Sequence, residues 1–262
     1  MSRWILLLFA LLGACAPGVA ASEVIVLAST TSTQDSGLLD ALTEAFENGH
    51  PGLRVKVVAV GSGEALDLGR RGDADVLLVH SPQDEVKFMA QGHGLSRTTI
   101  MRNDFVVAGP RDDPALVRGS SGAAEAFTRI ARSSLPFISR GDESGTHRRE
   151  LSVWDEAGIA PGGDWYYEAG AGMAETLVIA AEKSAYILTD SATLRTTRPS
   201  LESLFSKDKT LVNVYSVIPV ASARSKGAGT LAQWLVSPES LTVIGSFGKD
   251  GLGISLFEPV AQ

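Results

Sequence analysis

Short apolar runs alternate along the chain with segments whose apolar residues recur at helical spacing. Short apolar runs such as Glu23 to Thr30 (EVIVLAST) are typical of strands, and each is followed by apolar residues at helical spacing. The predicted strands of this first region are Glu23 to Thr30, Arg54 to Val60 and Ala74 to Val79, and the helices are Leu38 to Phe46, Glu64 to Arg71 and one that begins at Ser81 and Pro82. Such alternation predicts an α/β fold, in which a mostly parallel sheet is flanked by helices.

The pattern begins afresh after an apolar strand at Asp104 to Pro110. Further helices are predicted at Gly122 to Ala131, Ser144 to Ala157, Ala174 to Glu182, Gly229 to Leu235 and Pro238 to Phe247, and further strands at Leu135 to Ile138, Ala185 to Leu188 and Leu211 to Ala221. The last of these strands is long enough to carry the chain back to the first half. We therefore expect two lobes, residues 23–105 with 217–262 and residues 106–216, joined by two hinge crossovers around a cleft.

The N-terminus has the three-part pattern of a secretory signal over residues 1–22. Arg3 precedes the apolar run Trp4 to Leu12, and small residues continue to Ser22. Leu12 to Cys15 (LGAC) resembles the lipobox of bacterial lipoproteins, in which the cysteine becomes the lipid-modified first residue. Simple cleavage near Ala20 to Ser22 is the alternative. Either reading predicts a periplasmic protein, lipid-anchored through Cys15 in the first case.

Composition and charge exclude several function classes. Of the 262 residues, 44% are hydrophobic, which is enough for a sizeable core, and the formal net charge is −7. An acidic chain argues against nucleic acid as a partner, although a cleft lined by N–H groups and one arginine can still attract a small anion. Cys15 is the only cysteine, and the four histidines are not spaced as metal ligands, so no metal site is expected.

Three loops lie where a strand passes into a helix, which is where ligands bind in parallel α/β sheets. They are Ser29 to Gly37, Gly61 to Gly63 and Ser139 to His147, and all are rich in serine, threonine and glycine. Hydroxyl donors and free N–H groups at helix starts favour an oxyanion. Helix capping alone is the competing interpretation of the hydroxyl groups. Arg140 matches two oxygens of one anion, unless it pairs with Asp142 or Glu143 instead.

Five segments together resemble the tungstate-binding proteins of tungstate ABC importers: STTSTQDSGLLD, GSGEAL, MRNDFVVAGP, SRGDESGTH and GMAETLVIAAEKSAYILTD. The resemblance covers nearly the whole mature chain. Members of that family commonly have three threonines before the serine, whereas Ser29 takes the first place here and keeps a hydroxyl. The resemblance implies a two-lobed periplasmic binding protein of type II.

The same resemblance implies a ligand, a partner and a set of site residues. Tungstate is expected to be held by Thr30, Thr31 and Ser62 from one lobe and by Arg140 and Thr146 from the other. Ser144 and Gly145 belong to the same second-lobe loop and are included in the predicted site. An ABC permease in the inner membrane is the implied partner, the protein is expected to be a monomer, and neither a cofactor nor an enzymatic activity is expected.

Other functions remain open at the level of sequence. Molybdate, phosphate or sulfate are alternative ligands, and Asp142 could accept the proton that phosphate keeps. Ser144 with the nearby His147 could indicate an exported hydrolase, although no Gly-x-Ser-x-Gly motif accompanies them. A sensor or adhesion protein could use the same cleft. His147 is predicted to be a surface residue, and the aromatic residues Trp154, Trp165, Tyr166 and Tyr167 are predicted to pack in the core or between the lobes.

Overall fold

The structure is a computed structural model, and it describes residues 22–197, 199–206 and 208–260. The predicted signal lies outside these residues up to position 21, as does Cys15. In the described residues the strands are β1 (Glu23–Thr30), β2 (Leu53–Val60), β3 (Val76–Val79), β4 (Thr98–Gly109), β5 (Phe137–Ser139), β6 (Tyr166–Glu168), β7 (Ile187–Asp190), β8 (Glu202–Phe205), β9 (Val212–Pro219) and β10 (Glu258–Pro259). The helices are α1 (Thr31–Asp35), α2 (Leu38–Gly49), α3 (Ser62–Arg71), α4 (Pro82–Ala90), α5 (Ala123–Ser133), α6 (Gly145–Glu156), α7 (Met173–Glu182), α8 (Ser191–Thr197), α9 (Ala228–Leu235), α10 (Pro238–Ser246) and α11 (Lys249–Leu252), with short 3-10 turns at Val117–Gly119 and Lys209–Leu211.

The α/β architecture expected from the pattern is confirmed. In the first lobe β1 lies between β2 and β3 and is parallel to both. Strand β9 pairs antiparallel with β3, and β4 pairs antiparallel with β9. Strand β4 then continues into the second lobe, where it pairs antiparallel with β7 and β8. The parallel pair β5 and β6 lies beside them, joined through a bridge between Phe137 and Tyr186.

Two sets of buried apolar residues define the lobes. In the first, Phe46 and its neighbours pack under β1 and β9, and on the other face of the sheet Phe88 packs against Leu77. In the second, Trp154 lies among Phe127, Phe137 and other aromatic rings. Strand β4 leaves the first core after Met101 and enters the second at Phe105. The chain returns between Leu211, in the second core, and Tyr215, in the first.

Several local elements differ from the sequence pattern. The first loop contains the five-residue helix α1, which is too short to have an apolar period. Ser62 and Gly63 form the first turn of α3 and not a separate tight turn. The short elements β6, α8, β8 and β10 were not predicted. Their few residues carry no sustained period, so only contacts with neighbouring strands define them.

The aromatic prediction is confirmed for three residues and wrong for one. Trp154 is fully buried, and Trp165 and Tyr166 pack against it. Tyr167 is 43% exposed, with Lys183 over its ring, because alternate side chains of β6 point to opposite faces. No helix of the described residues is long and apolar enough to cross a bilayer.

Candidate functional site

The three predicted loops meet between the lobes. A Cβ atom at Gly61 would lie 3.7 Å from the carbonyl oxygen of Asp142 and 3.8 Å from Cα of Ser144, so the second loop touches the third. Gly172, just before α7, would place a Cβ atom 3.7 Å from Cβ of Thr31 in the first loop. The N-termini of α1, α3, α6 and α7 therefore converge on one region, and the unpaired N–H groups of each first turn carry partial positive charge.

Gly145 marks the tightest approach of the two lobes. A Cβ atom there would lie 2.8 Å from the carbonyl oxygen of His80 and 3.0 Å from Nδ1 of its ring. Contacts that short do not occur, so a larger residue at this position would force the lobes apart. Gly145 begins α6 in the second lobe and His80 follows β3 in the first, which explains why glycine is needed here.

The hydroxyl groups of the first loop mostly bond to one another. Thr30 caps α1 by accepting a hydrogen bond from the backbone N–H of Thr33 at 3.4 Å. Its Oγ1 lies 2.7 Å from the hydroxyl of Thr33 and 3.2 Å from that of Ser32. Ser29 donates to the carbonyl oxygen of Leu78 at 2.7 Å. The capping interpretation therefore accounts for most of this loop, and Thr31 is the predicted residue whose hydroxyl reaches the other lobe.

Arg140 supplies the buried positive charge of the region. It is 2% exposed, and among the described residues no other lysine or arginine is buried. Its Nη2 donates to Oγ1 of Thr31 at 3.1 Å and to Oδ2 of Asp142, while its Nε has no hydrogen-bond partner. The intramolecular pair with Asp142 is thus present, and the guanidinium group bridges to the first lobe as well.

Two buried hydroxyl groups at the helix starts have no partner in the described residues: Oγ of Ser62 in α3 and Oγ1 of Thr146 in α6. Both side chains are almost completely buried. A buried hydroxyl without a hydrogen bond costs free energy, so two of them at helix starts beside the region where the lobes meet indicate a polar ligand. Ser144, in the third loop, instead caps α6 and accepts from the backbone N–H of His147 at 3.3 Å.

The geometry does not support a serine nucleophile. Ser144 Oγ accepts from the backbone of His147 and not from its ring, and ring atom Nδ1 accepts from the N–H of Glu143 at 3.1 Å. The prediction that His147 is a surface residue is wrong, because the residue is only 7% exposed. Burial lowers the pKa of His147.

His80 is a site residue that the sequence reasoning missed. It is 3% exposed, its Nε2 lies 3.5 Å from the hydroxyl of Ser32, and its Nδ1 has no partner. Burial, reinforced by the nearby positive charge of Arg140, lowers its pKa to about 4, so the ring is neutral at pH 7. The available signal was its position directly after strand β3, equivalent to Thr31 after β1 and Gly61 after β2.

Gly172 and Asp35 were missed for a different reason. Asp35 lies at the end of α1 and accepts from the N–H of Ala174 at 3.2 Å, which joins the first lobe to the start of α7. Their positions are far apart in sequence and have no shared motif. Among the described residues no group of three histidine, cysteine, aspartate or glutamate side chains is placed to hold a metal ion.

Comparisons with known proteins agree with this geometry. Fold and cleft together define a two-lobed binding protein, and a family model described as a PBP superfamily domain matches residues 17–239. The tungstate-binding protein TupA of Peptoclostridium acidaminophilum is 43% identical over 246 residues, which are 90% of this chain and 86% of that protein. The chain therefore belongs to the PBP superfamily and, within it, to the family of the tungstate-binding protein TupA.

Solved structures support the same assignment. The structure described as a tungstate ABC transporter from Geobacter sulfurreducens has a TM-score of 0.78 and 42% identity, and it covers 87% of this chain and 100% of its own. The tungstate-binding protein TupA from Desulfovibrio alaskensis G20 has a TM-score of 0.75 and 39% identity, with 92% and 100% coverage. These relatives are binding and transport proteins and not enzymes, and their names indicate a ligand and no cofactor.

Proposed function

We propose that this protein is the extracytoplasmic component of an ABC importer that captures tungstate between its lobes and delivers it to a membrane permease. The observation that carries the proposal is the set of buried donors without partners, which are Ser62 Oγ, Thr146 Oγ1 and Arg140 Nε. They come from both lobes, and a tetrahedral oxyanion offers oxygens in several directions at once. No bond of the ligand is made or broken.

The predicted site divides into two kinds of contribution. Ser62, Thr146 and Arg140 offer side-chain donors to the anion. Thr30 and Ser144 hold the starts of α1 and α6, so the N–H groups of Thr31 and Gly145 complete the set. Neither lobe alone satisfies four oxygens, so the ligand favours the closed arrangement of the lobes.

The hydrogen bonds of Asp142 bear on the choice between a fully ionised dianion and hydrogen phosphate. One carboxylate oxygen accepts from Arg140 and the other from the N–H of Ser144 at 3.2 Å. Each oxygen keeps a second lone pair, so Asp142 can still accept the proton that phosphate carries near neutral pH, and phosphate stays an alternative ligand. Tungstate and molybdate carry no such proton, and only measurement separates these two.

Division of the chain into residues 23–105 with 217–262 and residues 106–216 is part of the proposal. Its support is the change of core on both crossing strands within a few residues of those boundaries, at Met101 to Phe105 and at Leu211 to Tyr215. Closure around this hinge should make the molecule more compact. Small-angle scattering is expected to give a smaller radius of gyration with tungstate than without it, and an unchanged radius would contradict closure.

Calorimetric titration with tungstate, molybdate, phosphate and sulfate tests the ligand. We expect tight binding of tungstate, weak binding of phosphate and sulfate, and little change of the tungstate affinity between about pH 6 and 8, since the pocket contains donors and His80 stays neutral there. Ser240→Ala is a matched control, because Ser240 also has a buried hydroxyl without a partner but lies in α10, away from the cleft. Tight phosphate binding with negligible tungstate binding would contradict the proposal that tungstate is the ligand.

Export and anchoring complete the proposal. Residues 1–22 form the signal, the mature protein acts in the periplasm as a monomer, and lipidation at Cys15 competes with cleavage near Ala20 to Ser22. Mass spectrometry of the mature N-terminal peptide distinguishes the two products. A membrane-bound protein that Cys15→Ser releases would establish the lipid anchor, whereas a peptide that begins near Ala21 would exclude it.

A further inference from the structure

One salt bridge crosses the cleft at its rim, separate from the proposed anion donors. Nε of Arg148 in α6 lies 3.1 Å from Oδ2 of Asp84 in α4. Helix α4 packs on the first core through Phe88, and α6 packs on the second through Trp154. The pair therefore joins helices of different lobes.

Both residues line an open cavity of about 310 Å³ between the lobes, together with Gly61 and Asp142 from two of the site loops. The salt bridge thus lies beside the proposed anion site and not at the hinge. Opening of the cleft would separate Arg148 from Asp84. An interaction that exists only when the lobes meet can stabilise only the closed arrangement.

Each partner is held in place by its own lobe. Oδ2 of Asp84 accepts from the hydroxyl of Ser81 at 2.8 Å, and Lys87 of the same helix lies 3.4 Å from Oδ1. Nε of Arg148 is also 3.2 Å from the carbonyl oxygen of Glu143, in the loop that carries Arg140. Because both groups are oriented before they meet, little side-chain entropy is lost when the pair forms.

We propose that the salt bridge between Arg148 and Asp84 acts as an interlobe latch that slows release of the bound anion. The inference rests on the proposed function, in which the lobes close over an oxyanion. Loss of the latch lowers the population of the closed state, so an enclosed anion escapes more often. Since the Arg148 side chain is 46% exposed, the expected acceleration of release is modest, about 2- to 5-fold.

A general charge effect on anion binding is the competing explanation, and it makes a different prediction. Arg148→Gln removes a positive charge near the site and Asp84→Asn removes a negative one. Long-range attraction of an anion would therefore change in opposite directions in the two variants. The latch predicts that both variants release the anion faster, and that the double variant is no faster than either single variant.

Release of radiolabelled tungstate into excess unlabelled sodium tungstate measures this rate on the mature chain. Arg149→Gln is the matched control, because it removes the positive charge next to Arg148 and leaves the latch intact. We expect unchanged release in this control and faster release in Arg148→Gln and Asp84→Asn. Raising the salt from about 0.05 to about 0.5 M should reduce the difference between parent and Arg148→Gln, because salt screens an exposed pair.

Opposite changes in the two latch variants, or no change in either, would overturn the latch. Failure of the proposed function is recognised separately, because the parent would then bind no tungstate in calorimetry. In that case scattering from the anion-free proteins tests the latch directly. A larger radius of gyration for Arg148→Gln than for the parent supports it, and equal radii contradict it.

Discussion

The two walls of the cleft differ in how they use their polar groups. On the first wall the hydroxyls of Thr30, Ser32 and Thr33 bond to one another and cap α1. On the second wall the buried guanidinium group of Arg140 pairs with Asp142, so this wall carries charge. Each wall nevertheless leaves one hydroxyl of its loops without a partner, Ser62 on the first and Thr146 on the second.

A count of hydroxyl groups therefore does not measure the donors available to a ligand. The serine- and threonine-rich first loop satisfies itself, as capping residues do. The two isolated hydroxyls are the ones left over, because neither has a neighbour of its own at hydrogen-bond distance. We therefore expect substitutions in the first loop to affect stability, and substitutions of the isolated hydroxyls to affect binding.

The charge of the second wall provides the largest expected effect. Arg140→Lys keeps the positive charge and loses the planar fork, so two charge-assisted hydrogen bonds to the anion are lost or weakened. At about 1.5 to 3 kcal/mol for each bond, we expect tungstate affinity to fall about 150-fold or more in calorimetry. Affinity equal to that of the parent would show that the wall acts through charge alone.

The two lobes are also expected to respond oppositely to pH. Burial raises the pKa of Glu150, which accepts from Trp154 and Tyr166 within the second lobe, to about 7. In the unfolded chain this carboxyl ionises near 4.5, so the folded state binds the extra proton and stability falls as the pH rises from about 4.5 to about 7. For His80, with a folded pKa of about 4, the unfolded chain binds the extra proton, and stability falls as the pH drops from 6.5 to about 4.

Urea unfolding between about pH 4 and 7 tests these opposite pH dependences of stability. The stability of Glu150→Gln relative to the parent should increase by up to about 3 kcal/mol between pH 4.5 and 7 and stay constant above that. The stability of His80→Gln relative to the parent should increase as the pH falls from 6.5 to about 4. If the relative stability of both variants changed with pH in the same direction, the opposite pH dependence expected of the two lobes would be contradicted.

Removal of the isolated hydroxyls separates binding from stability. Ser62→Ala and Thr146→Val each delete a donor to the anion, and we expect a loss of tungstate affinity of about 10-fold to 150-fold. Without ligand the melting temperature should stay the same or rise, because a buried hydroxyl without a partner no longer costs free energy. Ser240→Ala should give the same thermal result and leave the affinity unchanged. A lower melting temperature with unchanged affinity would assign both hydroxyls a structural role.

The smallest effect is expected in the first loop. Thr30→Val removes the side-chain cap of α1, which costs about 1 kcal/mol of folding free energy. Thr30→Ser keeps the hydroxyl and should restore most of that stability in urea unfolding. If Thr30→Val instead bound tungstate far more weakly at unchanged stability, the hydroxyl of Thr30 would be a ligand donor and the loop more than a cap.

Sequence periodicity predicted most of the architecture. Apolar runs and helical spacing located β1, β2, α5 and α6 to within a residue or two, because their buried faces form a repeating pattern. The lobe crossover at Asp104 to Pro110 was also visible, as an apolar strand with a breaker. Elements such as α1 and β8 were not visible, since they are too short to show a sustained apolar pattern and are defined by what they contact.

The site was predictable in kind and only partly in detail. Loops that follow strands, with small and hydroxyl residues and one arginine, predicted the oxyanion class and most of the residues that meet in the cleft. Local sequence did not show which hydroxyl would act as a cap, as at Thr30, and which would remain without a partner, as at Ser62, nor that His147 would be buried. Those outcomes depend on groups far apart in the chain, such as Arg140 and Thr31, which are 109 residues apart. Local pattern thus determined which chemistry is present, and the tertiary structure decided which donors are left over, because hydrogen bonding and burial are settled only when distant segments come together.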